Sequence, residues 1–122
     1  MSESTDDPTV MRMPYSAEIV GDPDTGVIHG GVITALLDSA SGRAVRDAAD
    51  IGDNASIATL DLRIDYMRPA APNADVFAKA DCYRVTRNVA FVRAWAYQTD
   101  PSDPVATSVA TFMLGTPNTP RS

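Results

Sequence analysis

Only one stretch of this chain carries helical periodicity, and almost everything after it alternates. From Gly30 to about Ala49 the apolar residues Val32, Ile33, Leu36, Leu37, Ala40 and Ala44 recur at intervals of three and four. That is the spacing of a stripe buried along one side of a helix. After Gly52-Asp53-Asn54 the period drops to two: Leu60, Leu62, Ile64 and Tyr66 alternate with Asp61, Arg63 and Asp65, which predicts a half-buried strand. Pro69 and Pro72 end it, and further strands are expected at Ala74 to Val85, Val89 to Thr99 and Val105 to Leu114. The connections Thr86-Arg87-Asn88 and Asp100-Pro101-Ser102-Asp103-Pro104 are short, so these strands are antiparallel neighbours. A short extended piece, Tyr15 to Val20, is expected before the helix. One helix can cover only one face of such a sheet, so the class is α+β.

A length of 122 residues suits one domain. Its expected extent is 13–116, between an N-terminal tail, 1–12, and a C-terminal tail, 117–122. No window is apolar enough to span a bilayer, and the start Met1-Ser2-Glu3-Ser4-Thr5-Asp6-Asp7 is acidic where a secretory leader is basic and then apolar. The single cysteine, Cys82, allows no internal disulfide, so a soluble, cytoplasmic protein is expected. A formal charge of −6 argues against nucleic acid or an anionic membrane as the main partner. With one histidine, one cysteine and scattered carboxylates, no metal site is expected, and neither a phosphate-binding glycine loop nor a Ser-His-Asp pattern is present.

Two motifs remain to be explained: His29-Gly30-Gly31 followed by Asp38, and Tyr66-Met67-Arg68-Pro69-Ala70. In order and spacing, from about Gly26 to Gly115, they resemble the PaaI-like branch of the hot-dog-fold acyl-CoA thioesterases. The resemblance implies a hot-dog fold, one long central helix wrapped by an antiparallel sheet of about five or six strands. It also implies a homodimer with joined sheets, or a homotetramer built from two such dimers, with active sites between subunits. Hydrolysis of an acyl-CoA thioester to free acid and CoA is the implied activity, with no cofactor beyond the CoA of the substrate. By the same resemblance Gly30 offers its backbone N–H to the thioester oxygen, Asp38 acts as nucleophile or general base, and Thr59 helps place the water. One position departs from the pattern. Relatives usually carry Asn or Gln six residues before the histidine, where this chain has Pro23, flanked by Asp22 and Asp24.

The residues support a parallel argument of their own. The N–H groups of Gly30 and Gly31 lie among the unpaired donors of a helix start, where the dipole is positive and an oxyanion is stabilised. A positioned donor of this kind is typically worth roughly 3 kcal/mol of barrier. The competing reading is that the two glycines only let helix and sheet pack closely. His29, at or just before the cap, either orients the loop or takes part in the chemistry. Asp38 is flanked at helical spacing by Gly31, Thr34, Ala35, Ser41, Gly42 and Val45, a small and uncharged face unlike one turned to water. Asp38 and Gly30 are eight residues apart, roughly 12 Å along a helix. To act on one thioester they must therefore come from two antiparallel helices of a two-fold dimer.

For the phosphates of CoA, Arg68 and Arg87, with Asn88 beside it, are the candidate contacts, and Gly31 is grouped with them as a substrate-binding residue. Pairing of these arginines with Asp61, Asp65 or Asp81 is the alternative, and Arg63, Arg84 and Arg93 are expected as sheet-surface partners. The acyl group is expected beside the helix, against Val27, Ile28, Leu37 and Phe77 or Phe91. Met113, Trp95, Tyr97 and Cys82 are assigned to core or interface packing, with no reactive thiol expected. A non-catalytic hot-dog protein that binds an acyl ligand remains the second reading, ahead of a dehydratase on the same fold.

Overall fold

The computed structural model describes residues 2–3, 9–16, 20–22, 27–28, 30–51 and 55–117. Helix α1 runs from Gly30 to Ala48 and buries Ile33, Leu36, Leu37, Ala40, Ser41 and Val45. Val32 and Ala44, which the periodicity places in the stripe, lie partly buried at its margins. The helix stops by folding back on itself. Asp50 takes the left-handed region at φ 53°, its N–H donates to the Asp47 carbonyl at 3.3 Å, and the Ile51 N–H donates to the Arg46 carbonyl at 3.1 Å. These paired bonds are a Schellman motif, and Ile51 supplies the accompanying apolar contact against the core.

The main sheet contains β1 (Ser2–Glu3), β2 (Val10–Met13), β5 (Ala55–Tyr66), β6 (Val76–Val85), β7 (Val89–Tyr97) and β8 (Ala106–Pro117). Their spatial order is β1-β2-β6-β7-β8-β5, antiparallel throughout. A separate two-stranded ribbon, β3 (Val20–Asp22) with β4 (Val27–Ile28), leads into the helix. This is the α+β, helix-on-sheet arrangement expected from the periodicities. Two details differ upstream. Tyr15 and Ser16 of the expected extended piece have no regular structure, although the Tyr15 N–H donates to Asp75 Oδ1 at 2.8 Å; Val20 opens β3, and residues 17–19 lie outside the described ones. A further strand forms at Val10–Met13, mostly within the expected N-terminal tail, because Met11 and Met13 pack against the core from there.

Under the helix the sheet is paved with alanine: Ala78, Ala90, Ala94, Ala96, Ala106 and Ala110 are all buried. The two largest fully buried side chains, Leu36 and Leu37, come from the other layer. Large facing small lets the two layers interlock at native density. The opposite face of the sheet carries Phe77 stacked on Tyr97 at 5.8 Å, Arg93 paired with Asp81 at 3.4 Å and Arg63 with Asp65 at 3.5 Å. Trp95 and Met113 share that face, opposite Lys79 and Val89. Cys82 lies on the helix side, where burial pushes its thiol pKa up and its S–H donates to the Arg84 carbonyl at 3.8 Å. Among the described residues no helix is long and apolar enough to cross a membrane.

One irregularity decides which way β5 presents its side chains. Thr59 pairs with Phe112 and Asp61 with Thr111, so Leu60 is an extra residue, a β-bulge. Strict alternation predicts Leu60 inward and Thr59 outward. The bulge reverses this: Thr59 shares the helix-facing side with buried Phe112, and Leu60 is 50% exposed. Beyond the bulge Leu62 and Ile64 pack against the core as the pattern predicts, whereas Tyr66 at the strand end is 53% exposed.

Two substitutions test this description by thermal melting. Asp50→Gly is expected to stabilise the protein by up to about 1 kcal/mol, because glycine adopts the left-handed conformation without a Cβ penalty. The Ser108 hydroxyl is buried without a hydrogen-bond partner, so Ser108→Ala is expected to leave the melting temperature unchanged or raise it.

Candidate functional site

Asp38 sits in the middle of α1, partly buried. Its Oδ1 accepts a hydrogen bond from Thr59 Oγ1 at 3.2 Å, a contact available only because the bulge at Leu60 turns Thr59 toward the helix. With one carboxylate oxygen held this way, Oδ2 is left for a water or a reacting carbon. The pair opens on a groove of about 690 Å³ with Ile57 and Phe112 as its apolar wall. Gly42, Arg43, Arg46 and Asp47 continue it along the helix. Gly42 faces Ile57 across the groove, where a Cβ would be in ordinary contact with Ile57 Cδ1 at 3.6 Å.

Gly30 opens on a different cavity, of about 360 Å³, bounded by Ile33 and by the segment Tyr66 to Ala70. There the Tyr66 hydroxyl donates to the Gly30 carbonyl at 2.9 Å. The same hydroxyl lies 2.6 Å from Thr34 Oγ1, which is itself 3.2 Å from that carbonyl. Within one chain, then, Asp38 and Thr59 come together, whereas Gly30 stands apart from them by eight residues of rigid helix, roughly 12 Å. Gly31 is exposed next to Gly30.

The remaining expected residues are dispersed. Arg68 borders the Gly30 cavity and is tied to Asp103, whose carbonyl it meets at 3.2 Å and whose carboxylate lies at 3.5 Å. Arg87 and Asn88 stand exposed in the β6–β7 turn, where the Asn88 carbonyl accepts the Leu114 N–H at 2.8 Å. Neither lines the Asp38 groove. His29, Pro23 and Asp24 lie outside the described residues.

Three of the expected acyl-pocket residues are corrected by the fold. Leu37 is fully buried in the core. Phe77 alternates with buried Val76 and Ala78, and Phe91 with buried Ala90 and Val92, so both phenylalanines point away from the helix.

Four residues at these two cavities escaped the sequence argument. Arg43 and Arg46 share the groove with Asp38, and the four-residue spacing of Asp38, Gly42 and Arg46 could have placed Arg46 on its face. Thr34 and Tyr66, noticed only as a small helix residue and a motif member, meet at Gly30 across 32 residues of sequence.

Known proteins resemble this chain in sequence and in fold. Residues 25–105 match the family model described as the thioesterase superfamily. A candidate esterase of Halobacterium salinarum is 36% identical over 90 residues, covering 73% of this chain. The match spans only 58% of that relative's length. The medium/long-chain acyl-CoA thioesterase YigI of Salmonella typhimurium is 31% identical over 80% of this chain and 68% of its own. Among solved structures, a Pseudomonas aeruginosa protein is 48% identical over 87% of this chain and 77% of its own, with a TM-score of 0.74. A Bacillus halodurans protein crystallised with CoA is 25% identical over 92% and 70% of the two chains, at 0.75. A mutant form of the phenylacetic acid degradation protein PaaI from Thermus thermophilus is 27% identical over 87% and 84%, at 0.72.

Proposed function

The chain belongs to the thioesterase superfamily, and from that premise we propose that it hydrolyses acyl-CoA thioesters at sites shared between two subunits. The observation that carries this reading is the Thr59-to-Asp38 hydrogen bond at the head of an open groove. It holds a helix carboxylate in one orientation with its second oxygen available. That oxygen either takes a proton from water as the water attacks the thioester carbonyl, or attacks the carbonyl itself. On either route the C–S bond breaks, CoA leaves as the thiol, and a water oxygen ends in the free acid. Negative charge builds on the carbonyl oxygen meanwhile, and the Gly30 N–H at a helix start is the donor suited to it.

The subunit arrangement follows from two features. Gly30 and Asp38 of one chain are too far apart to meet one carbon. And β5, twelve residues long, is the last strand of its sheet, with Leu60 and Tyr66 exposed along it. A long unpaired edge of this kind invites pairing with another strand. Two-fold pairing through β5 would set the helices of two chains side by side in opposite directions, bringing Gly30 of each toward Asp38 of the other. On this reading Arg43 and Arg46, in the groove beyond Asp38, join Arg68 and Arg87 as candidates for the CoA phosphates. The Salmonella relative's acyl-CoA activity and the CoA bound to the Bacillus protein support the choice of CoA as the thiol carrier. The reaction needs no cofactor, and no nucleic-acid or membrane partner enters it.

Release of CoA thiol from acetyl, medium-chain, long-chain and aromatic acyl-CoAs tests this. Asp38→Asn is expected to lower kcat by about 10²- to 10⁴-fold, and Thr59→Val by about tenfold through loss of a hydrogen bond to a charged group. Equal rates for the wild type and Asp38→Asn would overturn the assignment of Asp38. CoA binding without turnover by the wild type would establish a binding protein instead.

A further inference from the structure

The function proposed above asks for a donor at Gly30, and the start of α1 is poorly suited to hold one still by itself. It opens with two glycines, which have the most backbone freedom to lose on folding, and its first turn has no acidic residue to complement the dipole. Helix ends with these properties fray. One hold on this end comes from elsewhere in the chain: the Tyr66 hydroxyl, at the end of β5, donates to the Gly30 carbonyl at 2.9 Å. We propose that Tyr66, with Thr34, is a positioning residue that anchors Gly30 by its carbonyl in the first turn of the helix and, through the two dihedrals of that residue, limits where the Gly30 N–H can point so that it faces the thioester oxygen.

The hydrogen-bond accounting supports a relay. Two hydroxyl protons serve three short contacts. If Tyr66 donates to the Gly30 carbonyl, Thr34 Oγ1, at 2.6 Å, donates to Tyr66. Chains of hydroxyls arranged this way polarise and stiffen one another. The ring adds a wall, since a Cβ built on Gly30 would lie 3.6 Å from the Tyr66 hydroxyl oxygen and 3.8 Å from Cε1 and Cζ. Residue 30 has only two soft dihedrals. With its carbonyl anchored and those dihedrals in the helical well, the direction of its N–H is restricted, and an oxyanion donor must be held within about 0.5 Å of its working position. Packing does not call for this hydroxyl. Tyr66 is 53% exposed, and phenylalanine would present the same ring to Gly30. Because β5 is also the open edge strand, the element that would join two subunits is the one that braces the donor.

The test uses the full chain and three readouts: steady-state CoA release, amide hydrogen exchange at Gly30 and Gly31, and thermal melting. In Tyr66→Phe, kcat is expected to fall about tenfold or more with KM within about twofold, the pattern for loss of an interaction used only in the transition state. Exchange at the two glycine amides should quicken while the melting temperature moves little. Thr34→Val should change both readouts in the same direction, and Thr34→Ser, which keeps the hydroxyl, should stay close to wild type. A lower melting temperature with unchanged kcat in Tyr66→Phe, or slower turnover with unchanged exchange, overturns the positioning role. Loss of activity in Asp38→Asn alongside full activity in Tyr66→Phe overturns it too, while leaving the proposed function standing. Full activity in Asp38→Asn removes that function, and the positioning role with it.

Discussion

An α-helix is a rigid ruler, and in this protein it keeps apart two groups that the proposed chemistry must bring together. Gly30 and Asp38 stand eight residues apart on α1, roughly 12 Å by the rise of the helix, and they open on two different cavities. No side-chain motion closes that gap for a backbone N–H. The rest of the structure is consistent with a solution that uses two copies. The alanine-paved sheet holds the helix close and straight against it. The open strand β5 offers an edge at which a second sheet can continue the first. Each helix would then supply an oxyanion donor at one end and a carboxylate in its middle to two different sites.

Both half-sites depend on β5, one at the middle of the strand and one at its end. In the middle the bulge at Leu60 turns Thr59 onto the carboxylate of Asp38. At its end Tyr66 reaches the first carbonyl of the helix. A strand that holds the acid at its middle and braces the donor at its end, while also forming the free edge, ties assembly to catalysis through a single element. Substitutions in β5 would for that reason affect subunit contact and turnover together.

The layers and their order were legible in the sequence because they rest on periodicity. The stripe through Ile33, Leu36, Leu37 and Ala40 and the alternation through β6, β7 and β8 are repeated many times over, so single exceptions do not hide them. Single-residue events were not legible. The bulge at Leu60 leaves no signature in composition, yet it reverses the facing of Thr59 and Leu60. The left-handed turn at Asp50 falls on a residue that only tolerates it. The strand at Val10–Met13 was obscured by the polar residues before it, since its two inward methionines are too few to establish a period. For the candidate site, Gly30 and Asp38 were named from their motif and helix position and Thr59 from the family resemblance, and Asp38 and Thr59 meet in space. Leu37, Phe77 and Phe91 were misplaced because an apolar residue near a helix or in a strand reads the same whether it faces core, ligand or the far side of the sheet. Tyr66 and Thr34 were missed as a pair because their contact joins residues 32 positions apart.

The claim that the site is shared between chains can be tested by complementation. Two inactive forms are co-expressed: Asp38→Asn, which keeps the donor, and Gly30→Pro, which removes the N–H at a helix position where proline is tolerated. If each site takes Gly30 from one chain and Asp38 from the other, a mixed dimer contains one intact site and one doubly defective site. Random mixing then restores about a quarter of wild-type activity. If both residues of a site belonged to the same chain, no mixed dimer would hold an intact site, and activity would stay at the level of the two separate variants.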